Sequence, residues 1–322
     1  MFASRRVAVC TIAARNYIAL AGTMLASVAR FEPAFDRFVF IVDDVDEVET
    51  FAEGRVLRPA DVFERDTFAE LARGYDVLEL STAVKPSVIR HLLDRGYERV
   101  LFFDPDIVVY AALDPLLEPL ETNNIALTPH WVDALPIERR LRLELLVMRT
   151  GVFNLGFIGV ANTPVARAML DWWAERLARY CRIDTVSGLF VDQRWIDLVP
   201  GLFAGTAIVR HRGCNVAYWN LSERRLDAGD EPRLESGEPL VFFHFSGFDP
   251  RHPDRLCKIS TWIRVSETPR SERLLAAYAQ ALAARGHNER RSLPYGLRRS
   301  LRARARRFAR HVLPLAQALS RS

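Results

Sequence analysis

Apolar residues follow two rhythms along this chain. Short β-branched and aromatic runs occupy 6–12, 38–42, 100–103, 107–110, 125–128, 151–160 and 240–245, with a shorter one at 56–57. Their length and composition predict buried strands. Between them stand segments that read as helices: the Ala- and Leu-rich 17–30, then 68–73, 82–95 and 114–121, then 137–148 with charges at helical spacing, and the amphipathic 163–181. Gly96 suits the C-terminal cap of the 82–95 helix, and Pro86 then belongs to its first turn. Trp172 and Trp173 read as packing residues of the 163–181 helix. Strand, helix, strand within the first ~40 residues is a βαβ unit, which predicts a parallel sheet and an α/β class. Ligands of such sheets sit beyond the carboxyl ends of the strands.

One stretch stands out against this pattern. Val100 to Tyr110 reads VLFFDPDIVVY: an apolar run meets Asp104 and Asp106, and a second apolar run leaves them. Unpaired buried carboxylates are costly. A hard divalent cation such as Mg²⁺ or Mn²⁺ would relieve that cost, since it takes carboxylates together with substrate phosphates. The plain alternative is a turn, because Asp-Pro-Asp is ordinary turn composition. Two metal chemistries share the spacing. In one, the ion bridges the acids to a sugar diphosphate. In the other, Asp104 is the nucleophile of a phosphotransferase or phosphatase and Asp106 its acid/base.

Composition narrows the class. The chain has 322 residues, 49% hydrophobic and 26% charged, as in ordinary globular proteins. No apolar run is long enough for a transmembrane helix, and no signal peptide is recognised. Cys10, Cys181, Cys214 and Cys257 are widely spaced, without a Cys-X-X-Cys pair. That excludes the usual zinc and redox motifs and fits a reducing, cytoplasmic compartment. Ten arginines and no acids lie from residue 290 onward, so the net charge of +4 becomes about −6 for the rest. The body is mildly acidic, and nucleic-acid binding is not expected.

These motifs, taken in order, resemble the GT-A glycosyltransferases of glycosyltransferase family 8, the group of glycogenin and the bacterial lipopolysaccharide galactosyl- and glucosyltransferases. The resemblance spans roughly 6–250. Its elements are the first strand with Thr11, followed by Asn16-Tyr17; Lys85 in the helix before the acids; Asp104 and Asp106; Phe153-Asn154-Leu155-Gly156; Asp192-Gln193; and His244 in Phe-His-Phe-Ser-Gly. It implies a Rossmann-like nucleotide-diphospho-sugar transferase fold with a mixed central sheet. It also implies Mn²⁺ (or Mg²⁺) held by Asp104, Asp106 and His244, the mixed shell favouring Mn²⁺. Thr11, Asn16, Tyr17, Lys85, Asp104, Asn154 and Gly247 would then contact the nucleotide-sugar donor, and Asp192 and Gln193 would act at the anomeric carbon. The implied activity moves a hexose, most simply from a UDP-sugar, to a glycan or glycolipid acceptor with retention. A degenerate sugar-nucleotide-binding protein is the non-enzymatic counterpart. Two departures from the family stand in the sequence: Ala14-Arg15 where an acid usually contacts uracil, and Phe248-Asp249-Pro250-Arg251 where Lys-Pro-Trp often follows the histidine. Arg251 or Lys258 would replace that lysine.

Several residues keep two readings. His244 in an apolar strand is either a core histidine or a ligand. Asp43-Asp44 is a turn or a ribose contact. Asn215, Tyr218 and Trp219 form an acceptor platform or aromatic core. Domain boundaries are set at 1–284 for the transferase domain and 285–322 for a basic tail. In that tail, Leu297, Leu301, Ala305, Phe308, Val312, Leu315 and Leu319 make an apolar stripe among arginines. Such a helix suits an anionic membrane surface, which would hold the protein peripherally on the inner face.

Overall fold

The computed structural model describes residues 6–43, 52–134, 137–227, 229, 231–258 and 269–297. The tail stripe from residue 301 onward and Asp44 lie outside them. A seven-stranded sheet forms the centre, in the order β10-β6-β7-β4-β1-β2-β3. Its members are β1 Val7–Ala13, β2 Asp36–Ile41, β3 Arg55–Leu57, β4 Arg99–Phe103, β6 Ile125–Pro129, β7 Phe153–Ala161 and β10 Thr206–Ile208. β7 runs antiparallel to both neighbours and the other pairs are parallel. The sheet is therefore mixed, as the resemblance implied. Every residue of β1, β4, β6 and β7 is buried, because helices cover both faces.

Helix α1 (Ile18–Phe31) follows β1; α2 (Pro59–Val62), α3 (Arg65–Gly74), α4 (Val77–Ala83) and α5 (Lys85–Asp94) lie between β3 and β4. The helix expected over 82–95 is thus two helices meeting at Val84. Pro86 has no N–H to continue the ladder and limits its predecessor, so the chain restarts there. Asp76 caps α4, accepting from the Leu78 and Glu79 amides, and Glu79 returns a bond to the Asp76 amide. The short helix α6 (Asp114–Leu117) precedes β6, and α7 (Ile137–Thr150) joins β6 to β7. α8 (Pro164–Tyr180) then packs on α5. Trp173 is fully buried in α8, and Trp172 packs edge-on against Trp195 and Phe203, as packing residues should.

A second, three-stranded sheet decides the site. Strand β5 (Ile107–Val109) leaves the Asp104–Asp106 turn and pairs antiparallel with β12 (Phe242–His244), which also pairs with β11 (Val216–Ala217). The hairpin β8 (Ile183–Asp184) and β9 (Leu189–Phe190), with α9 (Gln193–Ile196) and α10 (Val199–Leu202), lies between α8 and β10. After β12 come α11 (Pro269–Ala284) and α12 (His287–Arg290). Residues 285–297, expected to begin the tail, lie against the body. Arg285 pairs with Glu53 at 3.0 Å, and the Gly296 amide donates to Asp43 at 2.9 Å.

Candidate active site

The carboxyl ends of β1 and β4 and the start of β7 share one edge of the main sheet. At that edge β4 ends in Asp104, whose amide donates to the Gly156 carbonyl of β7 at 2.8 Å. The turn closes with the Ile107 amide on the Asp104 carbonyl, and β5 then enters the second sheet. Its register sets His244 opposite Ile107, beside Asp106. Three residues from two sheets thus converge. One ligand atom from each of Asp104, Asp106 and His244 lies within 4.8 Å of the others.

His244 has a defined orientation. Its Nδ1 lies 3.1 Å from Asn154 Oδ1, which also accepts from the Gly156 amide. A ring nitrogen facing that acceptor carries the proton, so the neutral ring turns a bare Nε2 outward. Nε2 sits 3.1 Å from Asp106 Oδ1. Two lone pairs face each other there unless a proton or a cation comes between them. Burial opposes protonation of His244, but the Asp106 and Asp104 carboxylates outweigh it and raise its pKa. Gly156 makes room for the ring: a Cβ there would stand 2.6 Å from one ring atom and 2.7 Å from another.

Lys85 lies behind the acids, at the first position of α5. Its Nζ is buried, 2.6 Å from Asp192 and 3.7 Å from Asp104, and donates to the Leu155 carbonyl at 2.8 Å. Burial disfavours its charge, yet Asp192 and Asp104 hold its pKa above the usual lysine value. Asp104 moves the other way from an ordinary acid. Burial, opposed by Lys85 and reinforced by Asp106, pushes it up to about 6. With His244 neutral, three carboxylates face one ammonium, and the cluster carries a net −2. One divalent cation balances that charge, and the donor set of two carboxylates and an imidazole suits such an ion.

Gln193 is fixed at both ends. Its Oε1 accepts from the Leu155 amide at 3.1 Å and its Nε2 donates to the Thr150 carbonyl at 2.9 Å. Asp192 and Gln193 open α9, but Asp192 does not cap it; its carboxylate goes to Lys85. A cavity of about 360 Å³ brings together Tyr17, Lys85, Asp104, Asp106, Asn154, Asp192, Gln193 and His244 among the expected residues. A second cavity, of about 270 Å³, shares Tyr17 and Asp106 with it and holds Asn16, Gly247, Arg251 and Lys258. Thr11 lines neither: it is buried within β1.

The residues with two readings sit as follows. Asp43 is buried and accepts from the Arg15 and Gly296 amides, at 3.1 and 2.9 Å. Trp219 lies tilted against His130 and edge-on to His244, and Asn215 is wholly buried; neither borders the two cavities. Sequence reasoning missed His130. It follows β6 at the same sheet edge, its Nδ1 3.0 Å from the Val152 carbonyl and its Nε2 3.4 Å from Asn154 Nδ2. A histidine directly after a strand at the carboxyl edge was the available signal. It also missed the buried Glu223–Arg224 pair, in which Glu223 accepts from the Val132 and Asp133 amides of the loop after His130.

No family model matches the chain. It is 25% identical over 271 residues to the uncharacterized protein YfnF of Bacillus subtilis, covering 82% of this chain and 87% of that one. A second uncharacterized B. subtilis protein, YfnD, is 28% identical over 174 residues, about half of each chain (53% and 54%). Among solved structures, the galactosyltransferase LgtC, crystallised with donor and acceptor sugar analogs, superposes with a TM-score of 0.51. It is 16% identical, with 84% of this chain and 95% of that one covered.

Proposed function

From the GT-A fold shared with the galactosyltransferase LgtC, we propose that this protein is a metal-dependent glycosyltransferase using a nucleotide-diphosphate sugar. The observation that carries the reading is the convergence of Asp104, Asp106 and His244 in a cavity that Asp192 and Gln193 also line. Asp104, Asp106 and His244 would hold the ion. When bound, a divalent cation neutralises charge on the departing diphosphate. Asn154 fixes the histidine tautomer that leaves Nε2 free. Lys85 holds Asp192 through their ion pair, favours its ionised form against burial, and adds positive charge behind the acids.

The exposed ring of Tyr17 borders both cavities and offers a stacking face for the base. Lys258 supplies the second cation at the diphosphate. Its amide donates to the Gly247 carbonyl, and its side chain is exposed in the smaller cavity without an ion pair among the described residues. Arg251 is instead committed to Asp249 through paired hydrogen bonds. The donor base is uracil and the transfer retains configuration, with Asp192 or Gln193 stabilising the developing oxocarbenium. The acceptor is a glycan or glycolipid.

A thermal-shift panel of UDP, GDP, CDP and dTDP, each with and without Mn²⁺, tests the donor site, because ligands of the native state raise its stability. A shift with UDP that requires Mn²⁺ is expected. Silence with every nucleotide would remove the donor site. UDP-sugar hydrolysis that survives in Asp106→Ala would remove the metal role.

A further inference from the structure

Among the described residues twelve large apolar side chains are exposed, and nine of them lie between Leu141 and Leu202. Their centre is α7. Leu141, Leu145 and Met148 follow at spacings of four and three, one stripe of a helix. A surface helix usually turns such a stripe to the core. Here it faces outward: Met148 is 65% exposed, and no described side chain of α7 is buried. Val152, Leu198 and Leu202 extend the surface, joined by the Val152 amide donating to Asp197 at 2.8 Å. The β8–β9 hairpin stands beside α7 and ends in Val186, 99% exposed.

Charge selects what covers this rim. The α7 sequence has four arginines against two glutamates, in a body that is otherwise net acidic. A helix of basic composition with an exposed leucine and methionine stripe, beside an apolar hairpin tip, complements an anionic lipid surface. The rim also borders the site. Gln193 donates to the last carbonyl of α7, and Ile183 and Phe190 of the hairpin line the larger cavity. We propose that α7 and the Val186 tip seat the protein on an anionic bilayer, so that the membrane presents a lipid-linked acceptor at the mouth of the donor cavity. The acceptor half rests on the transferase reading; the docking does not.

The test uses the full chain with an environment-sensitive fluorophore on Met148→Cys, Val186→Cys or, as the control, Thr122→Cys at the opposite sheet edge; the four native thiols are buried. Vesicles of phosphatidylcholine with phosphatidylglycerol are expected to blue-shift the probes at 148 and 186 but not at 122, and phosphatidylcholine alone to leave all three unchanged. Leu145→Glu/Met148→Glu should lower vesicle partitioning roughly tenfold or more while UDP-sugar hydrolysis without vesicles stays at the wild-type rate. Bound protein with silent probes at 148 and 186 overturns the docking face. So does absence of binding, or a lipid-free shift that grows with protein concentration and marks self-association. Loss of hydrolysis in the wild type, with docking intact, would sink the transferase reading alone.

Discussion

Replacing Lys85 by Met removes one half of a buried ion pair and isolates the other. The ammonium and the Asp192 carboxylate are 2.6 Å apart, and both side chains are almost inaccessible to water. Without Lys85, Asp192 holds an uncompensated charge in the interior, which typically costs about 3–5 kcal/mol. The Leu155 carbonyl also loses its 2.8 Å donor, a further penalty of about 1–3 kcal/mol if water does not replace it. Against a total stability of about 5–15 kcal/mol, that loss is large. Asp192→Leu should cost less, since the ammonium keeps Asp104 at 3.7 Å and the Leu155 carbonyl at 2.8 Å. The double variant Lys85→Met/Asp192→Leu leaves neither member of the pair facing an absent partner and should be more stable than Lys85→Met, with a coupling of about 2 kcal/mol or more. Urea unfolding followed by tryptophan fluorescence measures all four proteins, with a chelator present so that bound metal adds nothing. Additivity of the single effects within about 0.5 kcal/mol would refute the reasoning. The double variant should also be folded but unable to hydrolyse donor. That outcome separates the pair's chemical role from its structural one.

Other outcomes follow from neighbouring groups. Asn154→Leu frees the His244 ring and should weaken Mn²⁺ binding about 10–100-fold, measured by calorimetry. Gly156→Ala drives a methyl group into the His244 ring and the Asn154 side-chain oxygen Oδ1. It should cost about 1–3 kcal/mol in thermal unfolding and lower metal affinity, whereas an unchanged midpoint would mean the ring has room. Burial lowers the His130 pKa to about 4, below its unfolded value near 6.5. The unfolded chain therefore takes the proton first. The stabilisation is complete above about pH 6.5 and is lost as pH falls towards 4, at most about 3 kcal/mol. His130→Phe should flatten that part of the stability profile, and an equally steep one would assign it elsewhere.

Much of the site was legible because its chemistry is local in sequence. Two acids at the end of a buried run, a histidine in an apolar strand and a lysine beside a proline each violate the pattern that builds a core, and each is found at the site. The strands of the main sheet were readable for the same reason, since burial on both faces leaves continuous apolar runs. Pro86 was read correctly into the first turn of α5, but the separate helix α4 that ends just before Val84 was not read. The Asp104–Asp106 turn, the strand 240–245 and the basic helix 137–148 were set by the sequence alone, through apolar period and turn composition. Only the tertiary structure decided what those pieces meet. The pairing of β5 with β12 joins His244 to Asp106 across 138 positions, and Lys85 reaches Asp192 across 107. The same folding turns the stripe of α7 towards solvent, although its period is that of any core-facing helix. Periodicity reports which side chains share a face. Which partner covers that face depends on contacts between segments far apart in the chain, and a local pattern carries no record of them.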